Sequence, residues 1–376
     1  MRKHYQVIIV GAGFAGAATA AALATDGVAD VLLVDREPTA GAHSSGRNAG
    51  MVRRAVENPA ITALAVEGAS AIVDSGVPLR RTGSYLLGAR ERISEATLAL
   101  FPHRWVSAAE ARARVPLLGD AIGEEVLETA DDGIVEVHAL LEHYLSVARN
   151  AGVEMCFGAA GVRPRVAGGR VAGLLFEDGR EVGCDHLVAA TGAWGAEWGE
   201  WAGAPVALTP RRRHLICTAT LDGGAPPWHW PWVWDLARGY YFRPEAGGLL
   251  WSPCDEFPQA ACSALPDPAA PRWLAEKLER AMPRAATLQV GQHWAGHRTF
   301  APDGCFLLGP DPRLEGWHWA VGLGGHGVTV SAAIGRRVAG GITGSCAIEA
   351  AHAWRSAVVP HEQERRDVVG ARGARW

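Results

Sequence analysis

The sequence predicts a mixed α/β protein in two interleaved parts, one a parallel sheet covered by helices and the other a mostly antiparallel β-sheet. Three observations predict it. Residues Tyr5 to Asp35 read as strand, glycine turn, helix and strand, ending in a carboxylate. A second strand–glycine–helix unit lies late, from His318 to about Ala339. Between about Ala204 and Thr299 the chain becomes richer in Pro, Trp and Arg, with short strand-like runs.

Taken in order, Val7 to Val10 form the continuous apolar run of a strand buried on both faces. Gly11-Ala12-Gly13-Phe14-Ala15-Gly16 follows at once, and an Ala-rich helix runs to about Asp26. Gly11 can take a tight turn, Gly13 lets a pyrophosphate approach the backbone, and Gly16 lets the helix lie close to the strand. Free N–H groups and the dipole at the helix start favour phosphate. Val31 to Val34 lead into Asp35, whose carboxylate can accept from ribose hydroxyls. This unit points to a nucleotide and does not by itself separate NAD from FAD.

Gly41 to Gly50 is a small, polar, glycine-rich loop whose amides and hydroxyls suit more of a phosphate-bearing cofactor. Asn58-Pro59 starts a helix in capping order that runs to Ser75-Gly76. Ser84 to Gly88 reads as a strand, and Ser107 with Glu110 as a capping box before a short helix ended by Pro116. A helix spans His138 to Ala151, closed by Gly152. A meander follows at Val153 to Phe157, Val162 to Val166 and Val171 to Phe176, with a turn at Asp178-Gly179. The His186 to Ala190 strand enters a small-residue turn at Thr191 to Gly195 and returns the chain to the nucleotide part.

Further strands are expected at Arg213 to Ala219, Tyr240 to Pro244, Leu249 to Ser252 and Thr287 to Trp294, with a helix from Pro271 to Ala281. His318 to Val321 enters Gly322-Leu323-Gly324-Gly325-His326-Gly327 and a small-residue helix. The tail from Pro360 to Trp376 is charged and expected to fray. The boundaries follow: 1–78, 137–204 and 300–376 in the nucleotide part, 79–136 and 205–299 in the part that would hold a substrate.

At 376 residues the chain exceeds one ordinary core, which agrees with two parts. A net charge of -4 and a pI near 6.4 give no reason to expect nucleic acid or an anionic membrane. The apolar N-terminus is broken by the glycine motif, so it is not read as a signal peptide, and no transmembrane segment is expected. A cytoplasmic protein is expected. The seven cysteines are scattered, without a C-x-x-C pair, and no H-E-x-x-H spacing occurs, so neither a disulfide framework nor a metal site is expected. Several of the 15 tryptophans crowd between Trp228 and Trp234, as core packing or as a pocket wall.

Together these motifs resemble the D-amino-acid-oxidase-type FAD oxidoreductases, the group of glycine oxidase, sarcosine oxidase and D-arginine dehydrogenase. The likeness spans nearly the whole chain: GAGFAG with Asp35, HSSGRNAG, AATGAWG, GYYFRPEAGGLLWSP, AGHRTFAPDG with LLGP, and VGLGGHGVTVSAAIG. HSSGR, PRRRH and AGHR are most similar to the D-arginine dehydrogenase branch.

The resemblance implies a Rossmann-type FAD-binding domain and an extended, non-covalent FAD. Gly11, Gly13 and Gly16 would face the pyrophosphate and Asp35 the adenosine ribose, with Arg36 also among the cofactor-binding residues. Ser44, Ser45, Arg47 and Asn48 would reach the middle of the cofactor, and Val162 its adenine edge. Gly192, Gly324, Gly325, His326, Gly327 and Val328 would border it, the last glycines setting a helix N-terminus against the flavin. Arg298 would hold a substrate carboxylate, with Tyr241 as hydroxyl partner and Arg212 facing the same group. The physical case is independent: a guanidinium fork fixes both distance and angle of the Cα–H. A segment around Asn48 to Val56 would serve as lid. Neither His297 nor His326 is needed as a strong base.

The chain departs from the arginine-specific pattern where that branch reads the side chain. Thr82-Gly83-Ser84-Tyr85 carries no acid, and Met51 and Val56 replace a His and a Tyr. Met51, Val56, Tyr85 and Trp234 are therefore expected as pocket walls for a bulky apolar or aromatic side chain. Arg53, Arg54, Arg80 and Arg81 allow a rival, anionic one, or else belong to the solvated surface. Leu250 stands where the sarcosine-oxidase type has an oxygen-activating lysine, which leans towards a dehydrogenase. No cysteine lies within His297 to Phe300 to anchor flavin. The expected enzyme oxidises the α-C–N bond of a small carboxylated amine to an imino acid that hydrolyses to a keto acid, with a quinone, an electron-transfer protein or oxygen as acceptor. The alternatives are a 2-hydroxy acid or a cyclic secondary amine as substrate, or a flavin-bearing subunit without turnover. A nicotinamide enzyme is disfavoured by the late glycine–helix unit.

Overall fold

The computed structural model describes residues 1–219 and 227–345. Cys346 and the expected charged tail lie outside them. Three sheets organise the chain. The first has eight strands. Its centre is parallel: Glu154–Cys156, Val31–Val34, His4–Val10, Glu181–Ala189 and Trp317–Val321, in that order. Leu307–Pro310 pairs antiparallel with the last of these, and the Arg163–Ala167 and Arg170–Leu175 strands form an antiparallel extension of the Glu181–Ala189 strand. The central strands carry Val, Ile and Leu on both faces because helices or further chain cover both.

One covering layer is the helix Phe14–Thr25, packed between Val137–Asn150 and the late helix Gly327–Thr343. The Ala-rich composition of the first allows close approach. A Cβ built on Gly335 would lie 2.4 Å from the Ala18 carbonyl oxygen, so this contact between the two ends of the chain has no room for a side chain. Pro59–Asp74 packs on the late helix in turn, and Asn58 caps it by accepting from the Ala60 and Ile61 amides. Such a cap is worth about 1 kcal/mol.

The second sheet has nine strands. The main path runs Phe257–Pro258, Thr209–Ala219, Gly248–Ser252, Tyr240–Glu245, Trp232–Asp235, Ser84–Leu87, Glu125–Thr129 and Arg104–Ser107, with Val290–Phe300 added against Thr209–Ala219. All pairs are antiparallel except Trp232–Asp235 with Ser84–Leu87. A small third sheet joins Met51–Val52, Gly133–Val135 and Leu79–Arg80. Ser107 caps the Ala108–Arg114 helix through the Glu110 amide, as the sequence pattern predicts.

Several expectations change. Val153 to Phe157 does not open a meander; its Glu154–Cys156 core is the parallel edge of the first sheet, reached directly from the preceding helix. The strand expected at Thr287 to Trp294 begins at Val290 and continues to Phe300, which carries AGHR into the sheet. Part of the tryptophan cluster is itself a strand, with Trp232 and Trp234 on one face and Val233 on the other. Tyr85 is not a pocket wall. It faces the core with Val233 and Phe242, and Val56 likewise fills the core beneath the first helix. Among the described residues no helix is long and apolar enough to cross a membrane.

Candidate active site

A long cavity lies along the carboxyl ends of the parallel strands, at Val10, Val34, Ala190 just past its strand, and Val321. This is where open parallel sheets bind ligands. It is lined by Gly11, Gly13, Asp35, Arg36, Ser44, Ser45, Arg47, Asn48 and Val162, and also by Gly192, Gly324, Gly325, Gly327, Val328 and Arg298. Gly16 lies behind it: a Cβ there would come within 1.8 Å of the Gly11 carbonyl oxygen, so the helix start can sit on the turn only as glycine. The amides of the first helical turn have no intrahelical acceptors. Ser45 Oγ accepts from Phe14 N at 3.0 Å.

Asp35 binds backbone as well as facing the cavity. Its Oδ2 accepts from Ala12 N at 2.6 Å and its Oδ1 from Glu37 N at 2.8 Å, which fixes the glycine turn relative to the second strand. Arg36 stacks 3.7 Å above the Trp194 ring, and His43 packs against the same indole. The loop side chains are anchored: Ser44 Oγ donates to the His297 carbonyl, Asn48 Nδ2 to the Ser45 carbonyl, and Arg47 reaches Ala264 O and Ser263 Oγ. A long cavity lined with glycine, hydroxyls and a helix N-terminus fits a dinucleotide, and no cysteine lines it to attach one covalently.

A second cavity of about 220 Å³ adjoins the first and shares Arg298, Asn48, Gly324, Gly325 and Val328 with it. Arg298 Nη2 donates to the Tyr241 hydroxyl at 3.1 Å. Gly325 has φ +90°, and a Cβ on it would lie 2.4 Å from Arg298 Nη1, so the glycine turn rests directly on the guanidinium. Burial, and next the Arg213 charge, lowers Arg298 from its ordinary value. Among the described residues it has no carboxylate partner. Strand alternation separates the neighbouring tyrosines: Tyr240 faces the core, Tyr241 the cavity, where its ring lies 5.0 Å from that of Trp234. Leu250 packs beside Tyr241 as an apolar floor.

Arg212 does not reach this cavity. Its Nη2 binds Asp267 at 2.8 Å on the other face of the strand, and Arg213 takes the inner place. Arg213 donates Nε to the Asp255 carbonyl and pairs with Glu256. Asp255 is held by the buried His214, whose Nδ1 lies 2.7 Å from its Oδ2. Met51 and Trp234 line the cavity as expected from the sequence, and Arg53 stacks 4.3 Å from the Trp234 ring. Arg54 points elsewhere, to the buried Asp132, and Arg80 lies over Trp228. Sequence reasoning missed Glu57 and Glu256, which no motif surrounds, and Phe300, which lies within AGHRTFAPDG two residues after Arg298 and so could have been found from strand alternation. Burial, with the Arg53 and Arg298 charges beside it, holds His326 down at about 3, and burial likewise lowers His297. Both imidazoles are neutral near pH 7.

Residues 6–340 match the family model described as FAD dependent oxidoreductase, DAO. Glycine oxidase of Pseudomonas aeruginosa is 27% identical over 330 residues, 83% of this chain and 87% of that protein. Hydrogen cyanide synthase subunit HcnC of the same organism is 26% identical over 249 residues, 64% of this chain but only 58% of the subunit. Among solved structures, L-proline dehydrogenase from P. horikoshii superposes with a TM-score of 0.81 at 18% identity, covering 93% of this chain and 96% of that one. At that identity the likeness establishes the fold.

Proposed function

Since the chain belongs to the DAO family of FAD-dependent oxidoreductases, we propose that it oxidises the α-C–N bond of an amino acid or a related carboxylated amine. The observation that carries this reading is the Arg298 guanidinium. It is half-buried, carries no hydrogen-bonded carboxylate among the described residues, and is common to the walls of both cavities. A guanidinium partly removed from water, with a neutral hydroxyl as its side-chain partner, is left short of compensating negative charge, and a substrate carboxylate supplies it with a charge-assisted, two-pronged hydrogen bond. FAD, when bound, supplies the two-electron acceptor.

The chain's own groups account for the rest. Arg298, steadied by Tyr241, holds the carboxylate and so directs the α-hydrogen towards the long cavity. The α-hydrogen leaves with its bonding electrons while the amine lone pair forms the C=N bond. The nitrogen then sheds a proton, and water releases a keto acid and the amine nitrogen. Neutral His326 and His297 add no positive charge to that of the arginines near the substrate amine. Met51, Trp234, Tyr241 and Phe300 reduce water access around the reacting carbon.

Loss of the fork in Arg298→Ala is expected to cost on the order of 2–4 kcal/mol in kcat/KM, mostly through KM. Anaerobic mixing of holoenzyme with D- and L-amino acids tests the reading directly. Bleaching of the yellow band by at least one of them supports it, and inertness to every amino acid and carboxylated amine rejects it. Admitting air then separates oxidase from dehydrogenase by the rate at which colour returns.

A further inference from the structure

Three guanidiniums line the smaller cavity, from Arg53, Arg213 and Arg298, and two carboxylates, from Glu57 and Glu256. The arginines are not equivalent. Arg53 Nη2 donates to Glu57 at 3.1 Å and its Nε to the Ala55 carbonyl at 2.6 Å. Arg213 is committed to Glu256 and to the Asp255 carbonyl. Glu256 also holds Arg211, 3.1 Å away and outside the cavity. Of the three guanidiniums, Arg298 is the one with no hydrogen-bonded carboxylate among the described residues. The other side chains of the wall are uncharged, apolar at Met51, Trp234 and Phe300 and polar at Asn48, Tyr241, His326 and Thr329, so no further cation is offered to a second charge.

We propose that this cavity takes an amine carrying one carboxylate and an uncharged side chain, with Glu57 and Glu256 as the residues that turn away a second anionic group. The inference depends on the oxidation reading for its substrate class and adds the selectivity. A distal carboxylate would have to settle against Glu57 or Glu256, like against like, or break one of their pairs with arginine. Glu57 is ionised in this setting: burial opposes it, but the Arg53 charge and its own backbone hold it below the usual carboxylate range. The Glu57 and Glu256 side chains are 44% and 36% exposed, so solvent screens part of the repulsion. A selectivity of about tenfold, rather than absolute exclusion, is therefore expected.

Matched inert ligands read this without turnover. Pentanoate and glutarate differ mainly in one terminal carboxylate, and either perturbs the flavin absorbance of the holoenzyme if it binds beside the ring. Pentanoate should bind about tenfold more tightly, and Glu57→Gln or Glu256→Gln should reduce that ratio by a similar factor. The yellow colour of each variant verifies its folding. Glutarate binding as well as pentanoate, failure of both to bind, or a ratio unchanged in both variants would overturn the proposal. A holoenzyme that prefers pentanoate but is bleached by no amine leaves this selectivity standing and rejects the oxidation reading instead.

Discussion

Tyr241 accepts a single hydrogen bond from Arg298 and otherwise packs on Trp234 and Leu250. Tyr241→Phe keeps the packing and removes the acceptor, so it isolates that bond. One such bond is worth about 0.5–1.5 kcal/mol, and KM should rise by about two- to tenfold with kcat less affected. Steady-state kinetics on the best amino acid would measure it, and an unchanged KM would remove Tyr241 from the clamp. His318 supplies a different kind of prediction. Buried beside His186, it is pushed down to about 3. The unfolded imidazole titrates near 6.5, so the folded state binds fewer protons between those values. Stability is full above about pH 6.5 and is lost as pH falls, at up to about 1.4 kcal/mol per unit. Urea midpoints at pH 7 and pH 5 should show a smaller acid loss in His318→Gln than in the parent; equal losses would mean that His318 contributes none.

Along the Thr209–Ala219 strand the alternation of faces decides what each arginine does. Arg211 and Arg213 both pair with Glu256, whereas Arg212 pairs with Asp267. Arg212→Ala is accordingly expected to change kcat/KM by less than about twofold, and Arg213→Ala to weaken substrate binding several-fold by removing a cation beside the clamp and leaving Glu256 with Arg211 alone. The reverse order would show the register to be wrong. Here the limit of the sequence is physical. Three consecutive arginines satisfy either register, and only pairing with Arg298, His297 and Gly296 on the neighbouring strand chooses between them. The glycine turn was legible because Gly11, Gly16 and Asp35 make local contacts over short spacings. Tyr85 and Val56 were misread because a hydrophobic residue looks the same whether it faces a cavity or the core behind it. Glu57 and Glu256 gave no signal, their partners being set by loops rather than by periodicity.

At the scale of the whole molecule, the long cavity proposed for FAD joins residues from Val10 to Val328, with contributions from the second sheet through His297, Arg298 and Thr299. FAD should therefore stabilise the whole fold and not one loop. At a hundredfold excess over its Kd the gain is about 2.7 kcal/mol, visible as a rise of several degrees in Tm when apoprotein is titrated. A melting curve indifferent to FAD would sink the assignment of the long cavity. The close contact of Gly335 with Ala18 bears on the order of events during synthesis. The first helix emerges from the ribosome early, yet the helix it must lie against is encoded near the other end of the described chain. Through most of translation the nascent polypeptide would carry an Ala-rich segment with one flank bare, and it could not retain the coenzyme until some 300 further residues had been added.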